Sequence, residues 1–180
     1  LGLAAARQVD GQDYRLVIAG EIPDSLLQQV RQMATQCKLP ERAVHFTGAV
    51  TDGVLNVLYH SATALLNPSR YEGLTLSILH AMTAGLPVIA GNNSAQAESF
   101  EGAARMVDAD STDSIARAIM DIHTQPELRE TLIQSGKRYS SRFTWRKTAE
   151  KTAMYLSESM LQRKRETSPS RRVETVARSA

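Results

Sequence analysis

The sequence predicts an α/β fold in which a parallel sheet is covered by helices on both faces. Short β-rich runs alternate with helical stretches as far as Asp110, the order expected when each strand is followed by a helix that returns the chain to a parallel neighbour. Tyr14 to Ala19 (YRLVIA) is apolar almost throughout and closed by Gly20, as expected of a strand buried on both faces. From Asn67 onward a β-rich run passes through a polar turn and Gly73 straight into a helical pattern.

Each element has its own signal. After the first strand, Asp24 to Lys38 reads as a helix: Leu26, Leu27, Val30, Met33, Ala34 and Cys37 recur at spacings of three and four, Pro23 and Asp24 mark the start, and Leu39-Pro40 stops it. Ala43 to Thr47 is the second strand, ended by Gly48, and Asp52 to Ser61 the second helix, with Val54, Leu55, Leu58 and Tyr59 on one side. Ala62 to Asn67 is a third strand, Leu74 to Ala84 a third helix and Pro87 to Ala90 a fourth strand. Gly85 stands where a C-cap glycine belongs, and Pro87 prevents continuation. A connection through Asn92 and Asn93 to Gln96-Ala97-Glu98 leads to a fifth strand at Ala104 to Val107. Beyond Asp110 the pattern is helical. Ser111 or Thr112 caps a helix to about His123 with Ile115, Ala118, Ile119 and Ile122 inward. Pro126 opens another through about Tyr139. A last amphipathic helix follows Phe143 and Trp145 to about Leu161.

A chain of 180 residues, 42% of them hydrophobic, can bury one sizeable core, so residues 1–162 are expected to form one domain. The net charge of +2 belongs to the end of the chain: from Arg163 onward six Lys or Arg face only Glu166 and Glu174, which leaves the rest net negative. The folded part therefore offers no positive field for nucleic acid. Residues 163–180 carry almost no large apolar side chains and read as a disordered basic tail, with RNA or membrane contact as the alternative. Cys37 is the single cysteine, so no intrachain disulfide forms, a reducing, cytoplasmic setting is expected, and the thiol reads as a small buried apolar group. No run approaches the ~20 apolar residues that cross a bilayer. His45, His60 and His123 read as structural, because no second ligand stands at a metal-binding spacing.

The chemistry points to residues 67–82, NPSRYEGLTLSILHAM. In open α/β sheets ligands gather at the carboxyl ends of the strands, where helix N-termini also point. The amides of Gly73, Leu74 and Thr75 would there form an anion site wide enough for a diphosphate, with no Cβ at Gly73 to block it. Glu72 precedes those amides and either caps the helix or handles sugar hydroxyls. His80, seven residues after Gly73, returns to nearly the same helix face at ~100° per residue. It either looks into the cleft, while Leu76, Leu79 and Met82 enter the core, or is a core histidine paired with a carbonyl.

The run PSRYEGLTLSILHAMTAGLPVIA resembles the signature of retaining glycosyltransferases of family 4, which share the GT-B architecture of two facing Rossmann-like domains. LVIAGE, VHFTGAV, AESFEGAARMVDADSTDSIARAI and the FTW segment match in the same order, so the resemblance covers roughly residues 1–158. It implies the donor-binding half of a GT-B fold and a hexosyltransferase-type reaction of polysaccharide biosynthesis. A sugar passes from a nucleotide-diphosphate donor to an acceptor hydroxyl with retained configuration, without metal or cofactor. Glu72 matches the first glutamate of the family's paired-glutamate motif, which holds donor-sugar hydroxyls near the reacting carbon. Gly73, Leu74 and Thr75 match backbone donors to the sugar and diphosphate, with Leu76 beside them. Gly20 and Val50 fall where the family borders the phosphates and the base.

Two departures stand out. His80 occupies the place of the second glutamate, which accepts hydrogen bonds from the ribose, and a neutral imidazole offers one acceptor where a carboxylate offers several. The chain also starts inside the first helix of the domain, so the family's opening strand and the basic residues after it have no counterpart. That strand would lie at the centre of the sheet. The first and third strands are then expected to close on each other or leave an exposed groove, and the chain to be a fragment. It would be inactive without an N-terminal acceptor domain or a separate partner chain. The full enzyme is expected to bind no nucleic acid and to associate peripherally with membranes. The alternatives are a noncatalytic sugar-nucleotide-binding or docking module and a related GT-B epimerase or phosphorylase. A dinucleotide-dependent oxidoreductase needs a G-x-G-x-x-G turn, which Gly20-Glu21-Ile22-Pro23 is not.

Overall fold

The computed structural model describes residues 1–167, which divide into two compact units, Leu1–Ser141 and the chain from Arg142 onward. The first unit runs α1 (Gly2–Asp10), β1 (Leu16–Ala19), α2 (Asp24–Gln36), a 3-10 turn (Glu41–Ala43), β2 (Val44–Gly48), α3 (Asp52–Ser61), β3 (Leu65–Asn67), α4 (Leu76–Ala84), β4 (Val88–Gly91), α5 (Ser94–Phe100), β5 (Arg105–Val107), α6 (Thr112–Thr124) and α7 (Pro126–Ser140). The second holds α8 (Trp145–Thr167). α8 extends past Arg163, and residues 168–180 of the segment read as a tail lie outside those described. Trp145 opens α8 with 84% of its surface exposed.

Among the described residues the named strands pair in parallel and form two sheets, with an isolated antiparallel bridge from Gly20 to Gly48. β3, β4 and β5 pair in that order, with Leu65, Leu66 and Asn67 opposite Val88, Ile89 and Ala90, and Ile89 to Gly91 opposite Arg105 to Val107. β1 pairs with β2 from Leu16 opposite Val44, with a register break between Ile18 and Ala19. Gly20, at φ +120°, then donates its N–H to the Gly48 carbonyl (2.9 Å), a conformation open to glycine and strained for other residues. Among the described residues β1 and β3 do not pair, so the first and third strands do not close on each other.

The larger sheet carries the core. β4 is buried along its whole length and its side chains alternate between two clusters. Val88 and Ala90 join Ile78, Met82, Leu86 and Phe100 on one face, and Ile89 joins Val107, Ala118, Ile122 and Leu132 on the other. Burial of large aliphatic and aromatic groups at ~25 cal/mol per Å² is the principal stabilising term in such a layer. Close helix contacts use small residues: a Cβ on Gly2 of α1 would lie 2.5 Å from Ile115 Cγ2 of α6, and one on Gly136 of α7 would lie 3.0 Å from Met82 Cγ of α4. Gly85 ends α4 in the left-handed region, as its place before Pro87 predicts, and Ser111 caps α6 through the Ser114 N–H (3.1 Å).

The smaller sheet differs from expectation. β1 is not buried on both faces: its residues alternate half-buried and exposed, and Val17 is 45% exposed. Two strands present too little area to cover, and neither α2 nor α3 contributes a fully buried residue. Leu26 and Met33 of α2 are likewise exposed, and Cys37 sits half-buried at the C-cap of α2 and not in a core. An arginine cluster holds the junction between α1 and β1. Asp13 bridges Arg7 at 2.7 Å and lies 3.4 and 3.5 Å from Arg15 and Arg42, while Tyr14 donates to Asp10 and meets the His123 ring edge-on.

The Arg7 hydrogen bond, with Arg42 beyond it, holds the Asp13 carboxyl below its ordinary value of 3.8, against a smaller opposing effect of burial. A depressed folded value contributes stability that is complete above 3.8 and lost as pH falls through the lower folded value. Thermal melts followed by circular dichroism are therefore expected to place Asp13→Asn below the unsubstituted chain at neutral pH, with the gap closing in strong acid. A gap independent of pH would assign the effect to something other than the carboxylate charge.

Candidate functional site

The carboxyl end of β3 and the N-terminus of α4 are joined by residues 68–75. The helix begins at Leu76 and not at Leu74, because Thr75 is extended and serves as N-cap. Ile78 and Leu79 make the first helical bonds, both to the Thr75 carbonyl (3.2 and 3.4 Å), so the amides before them lie outside the ladder. No acidic residue occupies the first turn of α4, and the Thr75 side chain makes no capping bond. The positive end of this helix is thus left to whatever stands in front of it. Gly73 and Leu74 are exposed there, and Glu72 is half-buried.

Glu72 stands at one end of a chain of polar groups that links the carboxyl ends of β3 and β4. Its Oε1 lies 3.1 Å from Ser69 Oγ, which also lies 2.9 Å from Asn67 Oδ1, so one hydroxyl proton serves two acceptors. Asn67 Oδ1 accepts from Gln96 Nε2 (3.2 Å), and the same amide group reaches Thr75 Oγ1 (3.4 Å). Gln96 Oε1 accepts the N–H of Gly91 at the end of β4 (3.0 Å). That backbone group can only donate, which fixes the orientation of the Gln96 amide and so requires Asn67 to present its oxygen. Gln96 is completely buried. Asn93 Oδ1 is also buried, without a partner among the described residues.

The eight residues expected at the site are not all brought together. Glu72, Gly73, Leu74, Thr75 and Leu76 form the continuous mouth of α4. Leu76, expected in the core, is 56% exposed because it is the first helical residue and stands at that mouth, whereas Leu79 and Met82 are buried as expected. His80 is exposed one turn further along and meets the Tyr59 ring of α3 edge-on, with centroids 6.4 Å apart. Burial pushes the Tyr59 phenol above its ordinary value, so this neighbour stays neutral. Gly20 and Val50 lie at the carboxyl ends of β1 and β2 in the other sheet, and no strand ladder links them to the mouth. Arg70 instead ties the turn to Asp110 after β5 by an exposed pair at 2.6 Å. Among the described residues no three of His, Cys, Asp and Glu gather as a metal ion would require.

The sequence places Asn67 and Ser69 in the run that carries the chemistry and Gln96 in the connection after the fourth strand, but gives none of the three a role. One signal was present: Gln96 precedes buried Phe100 by four residues, which places both on one face of a helix.

Parallel strands flanked by helices, with loops meeting at their carboxyl ends, define a Rossmann-like α/β protein. Residues 2–139 match the family described as Glycosyl transferases group 1, and the chain belongs to that family. It is 30% identical over 134 residues to the O-antigen chain mannosyltransferase B of Escherichia coli, covering 73% of this chain and 34% of that one. It is 30% identical over 160 residues to the GDP-mannose-dependent alpha-(1-6)-phosphatidylinositol monomannoside mannosyltransferase of Mycobacterium tuberculosis, covering 83% and 40%. The chain therefore spans a third to two-fifths of the length of these relatives. Its fold matches the sucrose-phosphate synthase of Thermosynechococcus elongatus with a TM-score of 0.77 at 24% identity, over 89% of this chain and 42% of that one. It also matches the C-terminal domain of the group 1 glycosyl transferase LpcC of Francisella tularensis with a TM-score of 0.67 at 21% identity, over 78% and 74%.

The close passage of β4 beneath the turn is set by Gly91. A Cβ there would lie 2.4 Å from the Ser69 carbonyl oxygen and 2.9 Å from Asn93 Oδ1. Gly91→Ala is expected to destabilise the chain by ~1–3 kcal/mol, the usual cost of overpacking. Urea unfolding followed by circular dichroism measures it, and an unchanged midpoint would show that the turn is free to move aside.

Proposed function

We propose that residues 1–141 bind the nucleotide-diphosphate sugar of a glycosyl transfer reaction. A half-buried carboxylate, Glu72, held beside the exposed glycine mouth of an uncapped helix at the carboxyl end of β3, carries this reading. The amides of Gly73, Leu74, Thr75 and Leu76 face the diphosphate, where fixed N–H dipoles stabilise the charge that grows as the bond to the anomeric carbon breaks. Glu72 accepts hydrogen bonds from the sugar hydroxyls and sets the ring for attack by the acceptor oxygen. His80 takes the ribose, and Gly20 and Val50 border the phosphates and base from the other sheet. Configuration is retained, as in the glycosyltransferases of family 4 that the motif resembles.

The curated relatives are named for mannosyl transfer, in one case from GDP-mannose, so GDP-mannose is the first donor to test. The acceptor-binding half comes from polypeptide outside residues 1–180, in the same chain or a separate one. The single-sided pairing of β1 and β3 among the described residues supports a neighbour there. Among the described residues no helix is long and apolar enough to cross a membrane, and we place the reaction at the cytoplasmic side.

Calorimetric titration of the chain with GDP-mannose and with GDP is expected to give binding without turnover. Glu72→Ala is expected to weaken GDP-mannose by about tenfold, the loss typical of a hydrogen bond to a charged group, and GDP by less. Equal losses for the two ligands would reduce Glu72 to a helix cap.

A further inference from the structure

We propose that Gln96 is the positioning residue of the donor site, a single buried amide that sets Glu72 and the Thr75 N-cap relative to the ends of β3 and β4. This inference rests on the donor-binding reading above. Gln96 touches three separate elements: Gly91 at the end of β4, Asn67 at the end of β3 and Thr75 at the start of α4. Its contact with Asn67 passes on to Ser69 and from there to Glu72.

The geometry explains two features otherwise unaccounted for. An N-cap threonine ordinarily turns its hydroxyl toward the amides of its own helix. Thr75 makes no such bond, and its Oγ1 lies within reach of Gln96 instead, which leaves the α4 amides without a cap from their own N-cap residue. A glutamine is also a costly residue to bury without partners. Gln96 offers two donors and an oxygen, and each faces a partner. Leucine, of similar volume, would fill the space and lose all three bonds. Asn67 Oδ1 and Ser69 Oγ would then be free to rearrange, and the contact through which Ser69 directs Glu72 would loosen without Glu72 itself being altered.

A role confined to folding would weaken every ligand alike, whereas positioning of Glu72 shows as lost selectivity for the sugar. The 180-residue chain, Gln96→Leu, Ser69→Ala, Glu72→Ala and the Gln96→Leu/Glu72→Ala double variant are titrated with GDP-mannose and GDP, and with UDP-glucose and UDP. Circular dichroism reports whether each variant is folded. Gln96→Leu is expected to lower the preference for sugar nucleotide over bare nucleotide by about fivefold, the range of one to two neutral hydrogen bonds. Adding it to Glu72→Ala is expected to lower that preference no further, because both act through one carboxylate. Equal losses for both ligands, or full additivity in the double variant, overturn the proposal. Should Gln96→Leu fail to fold, Ser69→Ala decides the question: it interrupts the same path, and an unchanged preference overturns the proposal. Failure of the unsubstituted chain to bind any of the four probes sinks the donor-binding reading and this proposal with it, while binding with unaltered selectivity sinks this proposal alone.

Discussion

The structure is organised by the burial of β4. A strand with neighbours on both sides and helices over both faces must be apolar at every position, and Val88, Ile89 and Ala90 satisfy this while dividing their side chains between two clusters. Gly91 continues the strand to where the polar turn crosses it. The same residue that ends the apolar run therefore admits the Ser69 carbonyl and donates to Gln96. Core and candidate site meet at one backbone position, so the direction of Glu72 is inherited from the packing beneath it.

The two halves of the first unit are unequally built. β3 to β5 with α4, α6 and α7 contain nearly all of the fully buried large side chains, whereas the segment from β1 to α3 contributes only Ala43. Segments with few buried apolar contacts open at lower free energy than a packed core. Gly20 and Val50 belong to the less buried half and Glu72 to the more buried one. A ligand reaching both would thus engage a well-determined wall and a more yielding one.

Much of this was legible in the sequence where the cause is local. Gly85 before Pro87, Ser111 ahead of an amphipathic run and Pro126 at a helix start are read from neighbours in the chain, and all three stand where expected. The mouth of α4 was legible for the same reason, since a glycine between a strand and a helix is a local statement. Burial of β1 was misjudged because an apolar run states what a strand can bury, not whether anything covers it. Gln96 was missed because its partners are 29 and 21 residues away, and a glutamine in sequence looks like a solvent-facing residue until the fold closes over it. The short helix around it was missed as well, since seven residues hold too few turns to establish a period.

Trp145 is the single tryptophan of the chain, and it lies in the second unit with most of its indole in water. An indole already in water changes its surroundings little when a polypeptide unfolds. Its fluorescence would report on the region after Ser141. Tyr59 and Tyr139 are better optical reporters of the first unit, since both pack against the cluster containing Phe100. A flat tryptophan trace from this protein is therefore no sign that its Rossmann-like part has stayed intact.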